Sequence, residues 1–252
     1  MKKVDSQNGS KFSILLVAML VLGALAFYFL GVILGPSTPI SKAGESKMVA
    51  EQFHQLYYYS PSRTWRNTRW LGVPLQKCPM DLVVYQEILN DTKPDVLIEA
   101  GTYKGGSALF FASIMDLLGR GKVITIDTVN QGRPPHPRIT YLEGFSTAPD
   151  IVSTVKSMIR TDDHVMVVLD SDHSASNVLN ELRVFAPLVT VGAYLIVEDT
   201  HVNGHPVEPS FGPGPAEALN DFLATNKGFS RDATREKFLL TFNPGGFLKR
   251  VS

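Results

Sequence analysis

The chain has 252 residues, 24 Lys plus Arg against 24 Asp plus Glu, 44% hydrophobic residues and one cysteine. That length allows one sizeable domain or two small ones, with apolar material enough for a core. The balanced charge supplies no global field for a nucleic-acid partner, so none is expected. The lone Cys78 excludes an intramolecular disulfide framework, and its Lys-Cys-Pro context reads as a spectator thiol.

Residues 13–34 contain no charged side chain. About 20 apolar residues cross a hydrocarbon layer as a helix, so a transmembrane helix is expected there, after a tail at 1–12 and before a Pro/Ser/Gly-containing linker at 35–48. A cleavable signal peptide ending near Ala24-Leu25-Ala26 is the rival, but the run outlasts a signal core of roughly 7–15 residues. Residues 49–252 remain for the main domain. Helical patterning at 49–58 leads to an irregular stretch, 60–79, holding Trp65 and Trp70, and then to a helix over 81–90 with Leu82, Tyr85 and Leu89 on one side.

From there strands and helices alternate. Strands are expected at 95–100, 122–127, 138–143, 165–170, 193–197 and 238–242, with helices at 106–118, 151–160, 175–185 and 215–224. Continuous apolar runs such as 165–170 suit strands buried on both faces. The alternation predicts an α/β sheet with right-handed crossovers, whose ligands sit beyond the carboxyl ends of the strands.

The notable polar residues fall at those ends. The first strand runs through Glu99-Ala-Gly-Thr-Tyr-Lys-Gly-Gly-Ser107 into a helix, a pattern that either cradles a ligand on free amides or merely turns the chain. The dinucleotide spacing G-x-G-x-x-G is absent. Asp127, ending the next strand, is placed to accept bonds from the ribose hydroxyls of an adenosine ligand. Asp170-Ser-Asp172-His173 and Glu198-Asp199 end two further strands. Carboxylates converging there would repel unless a cation neutralised them, and hard oxygen ligands suit Mg²⁺. Helix capping explains Asp172 or Ser174 but explains Glu198 and Asp199 poorly.

These residues resemble the cephalosporin hydroxylase and rhamnosyl O-methyltransferase family, within the class I methyltransferases. The matching pieces are Trp70-Leu-Gly-Val-Pro, Ile98-Glu-Ala-Gly-Thr, Gly105-Gly-Ser-Ala, Leu169-Asp-Ser-Asp-His-Ser, Val197-Glu-Asp-Thr, Asn203-Gly-His-Pro, Gly212-Pro-Gly-Pro and Arg235-Glu-Lys-Phe, spread over 65–250. The resemblance implies a Rossmann-like fold with a seven-stranded, mostly parallel sheet, helices on both faces and an antiparallel strand in the last hairpin. It implies contacts to S-adenosylmethionine from Glu99, Gly101, Tyr103, Gly105, Gly106, Ser107, Asp127, Ser146 and Asp170. It also implies Mg²⁺ on Asp170, Glu198 and Asp199, with Asp172, or failing that His173, as the base.

The expected activity is metal-assisted O-methylation of a sugar, glycolipid or related small molecule, in lipid or glycolipid biosynthesis if the anchor points to the acceptor. His201 and His205 are expected in a lid or on the surface rather than on the metal. A homo-oligomer is compatible with the sequence. The side of the membrane stays open: Lys2, Lys3 and Lys11 before the span favour an inside N-terminus, whereas a cytosolic cofactor favours an inside domain.

Three rivals remain. A membrane-anchored glycosyltransferase would use Asp170-Ser-Asp172 as a D-x-D element but leaves the glycine loop and Asp127 without work. An iron-dependent hydroxylase would need two histidines and one carboxylate on the metal. A binding module would keep the fold and lack the transfer.

Overall fold

The computed structural model describes residues 42–129 and 132–252, and residues 47–252 form one compact unit. Helix α1 (Lys42–Tyr59) leads into it. A short hairpin joins β1 (Arg69–Trp70) to β2 (Val73–Pro74) through Leu71 and Gly72 at φ 47° and 86°. Positive φ at both central residues matches the twist of the paired strands. Helix α2 (Pro79–Thr92) opens on a proline, whose missing N–H is harmless in a first turn.

The remaining elements are β3 (Val96–Ala100), α3 (Gly106–Leu118), β4 (Lys122–Asp127), β5 (Ile139–Glu143), α4 (Pro149–Ser157), β6 (Val165–Leu169), α5 (Ala175–Phe185), β7 (Tyr194–Val197), α6 (Pro215–Thr225), β8 (Phe229–Arg231) and β9 (Phe247–Arg250). They build a seven-stranded sheet in the order β5-β4-β3-β6-β7-β9-β8. Only β9 runs against its neighbours, β7 and β8. This is the Rossmann-like, mostly parallel sheet expected from the sequence.

Strand periodicity distributes the core. Val96, Ile98 and Ala100 pack on one face with Leu182 and Phe185 of α5 and Leu219 of α6. Leu97, Met166, Val168 and Ile196 face the other way, against Ile88 of α2 and Phe111 of α3. Burial on both faces explains the continuous apolar runs. The sheet order reverses between β3 and β6, and such a switch point opens a crevice beyond the strand ends.

Two expectations are corrected. Among the described residues no helix is long and apolar enough to cross a membrane. The 18-residue α1 carries Lys42, Glu45, Lys47 and Glu51, too much charge for a span. The expected transmembrane helix and the membrane localisation built on it thus have no helix to carry them among the described residues, and residues 13–34, where they were placed, lie outside those residues.

The second correction concerns 238–242, which is not a strand. Its alternation does bury Leu240 and Phe242, but against Tyr58 and Val207 in a separate cluster. Leu239 takes φ 67°, and β9 occupies the place beside β7.

Candidate active site

The glycine loop is shaped by close backbone contact. A Cβ on Gly101, at φ 97°, would lie 1.7 Å from the Asp170 carbonyl oxygen, and one on Gly106 would lie 2.1 Å from the Pro74 oxygen. Gly105 adopts φ 81° as the N-cap of α3. The motif Trp70-Leu-Gly-Val-Pro thus supplies the hairpin that packs on Gly106, with Trp70 Nε1 donating to Ser113 Oγ at 3.0 Å.

Asp127 ties the loop down: its Oδ2 accepts the backbone N–H groups of Thr102 at 3.1 Å and Tyr103 at 2.7 Å. Glu99 is buried beneath the loop, where Oε2 accepts the Thr125 hydroxyl at 2.6 Å. Burial pushes the Glu99 carboxyl up to about 7, against the opposing pull of Lys77 and of the Ser107 and Thr125 hydroxyls.

A cavity of about 800 Å³ runs from this loop to the carboxylates. Gly101, Tyr103, Gly106, Ser107, Asp127, Ser146, Asp170, Asp172, His173 and Asp199 line it, whereas Glu99, Gly105 and Glu198 do not. Ser146 turns its hydroxyl to the buried Glu181, which it meets at 2.5 Å, and Ser171 donates to the same oxygen at 2.6 Å.

Asp170, His173 and Asp199 each offer one atom to a group lying within 4.8 Å of one another. His173 Nε2 is 3.0 Å from Asp199 Oδ2 and 3.9 Å from Asp170 Oδ1. Asp199 sits at φ 54°, a left-handed conformation uncommon outside glycine, and its N–H donates to Asn243 Oδ1 at 3.0 Å. Burial alone would raise the Asp199 carboxyl, but His173 and His201 hold it well below its ordinary range. Burial likewise opposes charge on His173, and Asp199 and Asp170 outweigh it, raising the imidazole to about 9.

Glu198 is directed elsewhere. Its Oε1 accepts Lys77 Nζ at 2.5 Å and the Tyr85 hydroxyl at 2.7 Å. Strand parity explains this, since Glu198 follows Tyr194 and Ile196 onto the face covered by α2 and α3, one residue out of phase with Asp199. Lys77 Nζ also donates to Asp170 Oδ2 at 2.7 Å. Burial disfavours this ammonium, but Asp170 and Glu198 hold it above its ordinary range. Burial and Asp170 push Glu198 up to about 8.

Lys77 and Tyr85 were not among the expected site residues, and neither was His54, whose Nε2 lies 2.8 Å from His201 Nδ1. His201 is buried, with Nε2 3.2 Å from Asp199 Oδ1, rather than in a lid. His205 is the surface residue expected, with Nε2 2.9 Å from Glu217 Oε1. Cys78 is buried, and burial pushes its thiol up to about 12, in keeping with a spectator.

The residues present fit both implied groups. The cavity volume lies within the roughly 300–1,000 Å³ of small-molecule sites, and Gly101, Tyr103, Gly106 and Ser107 line its glycine end. The acid end offers two carboxylates and one imidazole, a mainly oxygen set suited to a hard divalent cation and the reverse of the two-histidine, one-carboxylate iron set.

Comparison with known proteins agrees. A family model described as rhamnosyl O-methyltransferase/CmcI matches residues 62–251. The rhamnosyl O-methyltransferase of Mycobacterium tuberculosis is 39% identical over 213 residues, covering 81% of this chain and 86% of the relative. That of Mycobacterium leprae is 40% identical over 209 residues, covering 80% and 90%. The solved structure of CmcI with Mg and SAM aligns at a TM-score of 0.57 and 23% identity over 74% of this chain and 78% of that one; at that identity the likeness speaks for the fold. The chain belongs to the rhamnosyl O-methyltransferase/CmcI family and is an S-adenosylmethionine-dependent O-methyltransferase.

Proposed function

We propose that this enzyme methylates a hydroxyl of rhamnose or a closely related sugar, with Mg²⁺ held at Asp170 and Asp199. The observation that supports this is the single cavity joining the glycine loop to the carboxylates. When bound, S-adenosylmethionine supplies an electrophilic methyl group, and a divalent cation lowers the pKa of the acceptor hydroxyl.

The chain's own residues divide the remaining work. Gly101, Tyr103, Gly106 and Ser107 receive the cofactor on a loop that Asp127 holds in shape. Asp170 and Asp199 turn carboxylate oxygens towards the acceptor end, and Glu198 is the reserve ligand, reached by leaving Lys77 and Tyr85. Asp172 is the base that takes the hydroxyl proton. It is exposed on the cavity wall, with Oδ1 steadied by the Ser174 N–H at 2.9 Å. His173, with Nε2 3.0 Å from Asp199 Oδ2, serves instead to orient that carboxylate. Alignment of hydroxyl and methyl by these fixed walls supplies much of the rate.

The test is transfer of labelled methyl from S-adenosylmethionine to a rhamnosyl glycoside, a glucosyl glycoside and a rhamnose-bearing glycolipid. Label on a rhamnose oxygen supports the reading. Turnover of the cofactor with label on none of these acceptors overturns the sugar assignment.

A further inference from the structure

The acid end of the cavity is braced from a helix that precedes residue 62, where the match to the family model begins. His201 places Nε2 3.2 Å from Asp199 Oδ1 and Nδ1 2.8 Å from His54 Nε2. The two imidazoles are 1% and 5% exposed. Phe242 stacks on His54, with ring centroids 5.5 Å apart and planes at 10°, and approaches His201 to 4.3 Å. Tyr58, also on α1, meets His201 edge-on at 5.2 Å.

These contacts limit where protons can sit. A neutral imidazole has one N–H and one lone pair. If His201 put its proton on Nδ1, a bare Nε2 would face the Asp199 carboxylate in a buried setting. With the proton on Nε2 it donates to Asp199, and Nδ1 then needs a donor. His54 Nε2–H is the group in place to be that donor. The other Asp199 oxygen, Oδ2, points to the cluster with Asp170 and His173.

We propose that His54 is a positioning residue for the metal-holding carboxylate: it fixes the His201 tautomer, and His201 in turn fixes the orientation of Asp199. This rests on the reading of Asp199 as a cation ligand. Partners that hydrogen-bond the groups around a metal typically carry about 10–100-fold in affinity. Helix α1 is thereby part of the working site and not only a packing element.

The test uses the full chain and Mn²⁺, with free ion followed by electron paramagnetic resonance and S-adenosylmethionine affinity by calorimetry. His54→Phe keeps a ring against Phe242 and removes the N–H. His54→Gln keeps an N–H that reaches Nδ1. H54F is expected to bind Mn²⁺ about tenfold or more weakly, with cofactor affinity unchanged and the circular dichroism spectrum of the wild type. H54Q is expected to recover most of the loss.

If H54F does not fold, His54→Leu replaces it in the same contrast. Equal Mn²⁺ affinity in H54F and wild type overturns the proposal, and so does H54Q as weak as H54F, which would mean packing alone. Absence of Mn²⁺ binding by the wild type overturns the assignment of Asp199 itself, a separable result.

Discussion

The two ends of the cavity are built by different means. The glycine end is mostly backbone: Gly101 and Gly106 let chain segments touch, and Asp127 fastens the loop through two amides. The carboxylate end is a balance of side-chain charges, in which Lys77 and His173 offset Asp170, Glu198 and Asp199. A backbone site tolerates little change in shape, whereas a charge site tolerates little change in count. Substitutions should therefore fail for opposite reasons at the two ends.

The sharpest contrast is Gly101→Ala. A methyl group 1.7 Å from the Asp170 carbonyl oxygen forces β3 and β6 apart. Overpacking and backbone strain together predict a loss of about 4 kcal/mol or outright misfolding. Thermal denaturation with and without Mg²⁺ checks this, and the loss should not depend on the ion.

Lys77→Met should behave differently. It leaves the buried Glu198 and the half-buried Asp170 without their shared cation, which costs about 3 kcal/mol. Denaturation in chelator should show that loss, and Mg²⁺ should restore part of it by taking the place of the ammonium. A loss indifferent to Mg²⁺ would break the charge-balance view of this end.

Asp172→Asn touches neither loop nor ion balance. Loss of the base predicts a fall in kcat of about 100-fold or more, with Mn²⁺ and cofactor affinities unchanged. A fall confined to KM would instead assign Asp172 to acceptor binding.

Asp127→Asn is the mildest. It keeps the shape but weakens two charge-assisted bonds, and about tenfold weaker S-adenosylmethionine binding is expected, near 1.4 kcal/mol. Calorimetry at fixed pH reads this directly.

The contrast also explains what the sequence disclosed. Buried parallel strands announce themselves as apolar runs, and their ends mark a crevice, so local pattern placed Gly101, Asp127, Asp170 and Asp199 at the strand ends, while the roles expected of them there came with the family resemblance. The neutralising partners were not. Lys77 lies 93 positions from Asp170, and His54 lies 147 from His201, distances that no periodicity spans. Lys77 sits beside Cys78 in a loop with no recurring spacing to betray it.

The C-terminal hairpin misled for another reason. The alternation at 238–242 is real and buries side chains, but β8 and β9 are short, and β9 carries Lys249 and Arg250 beyond its buried half. Arg235, in a family-matching motif, lies in the same region. It holds Asp91 of α2 at 3.0 Å and contacts Tyr194 Oη at 3.1 Å, bracing α2 against the start of β7 rather than the cavity.

The most direct measurement is the initial rate of methyl transfer to a rhamnosyl acceptor as a function of free Mg²⁺, for metal-stripped wild type and Asp170→Asn. The expected result is a wild-type rate that falls at least about 100-fold in chelator and returns with Mg²⁺, while D170N stays low throughout. A wild-type rate unchanged by chelation, or a D170N rate that responds to Mg²⁺ as the wild type does, would contradict a cation at the carboxylate end.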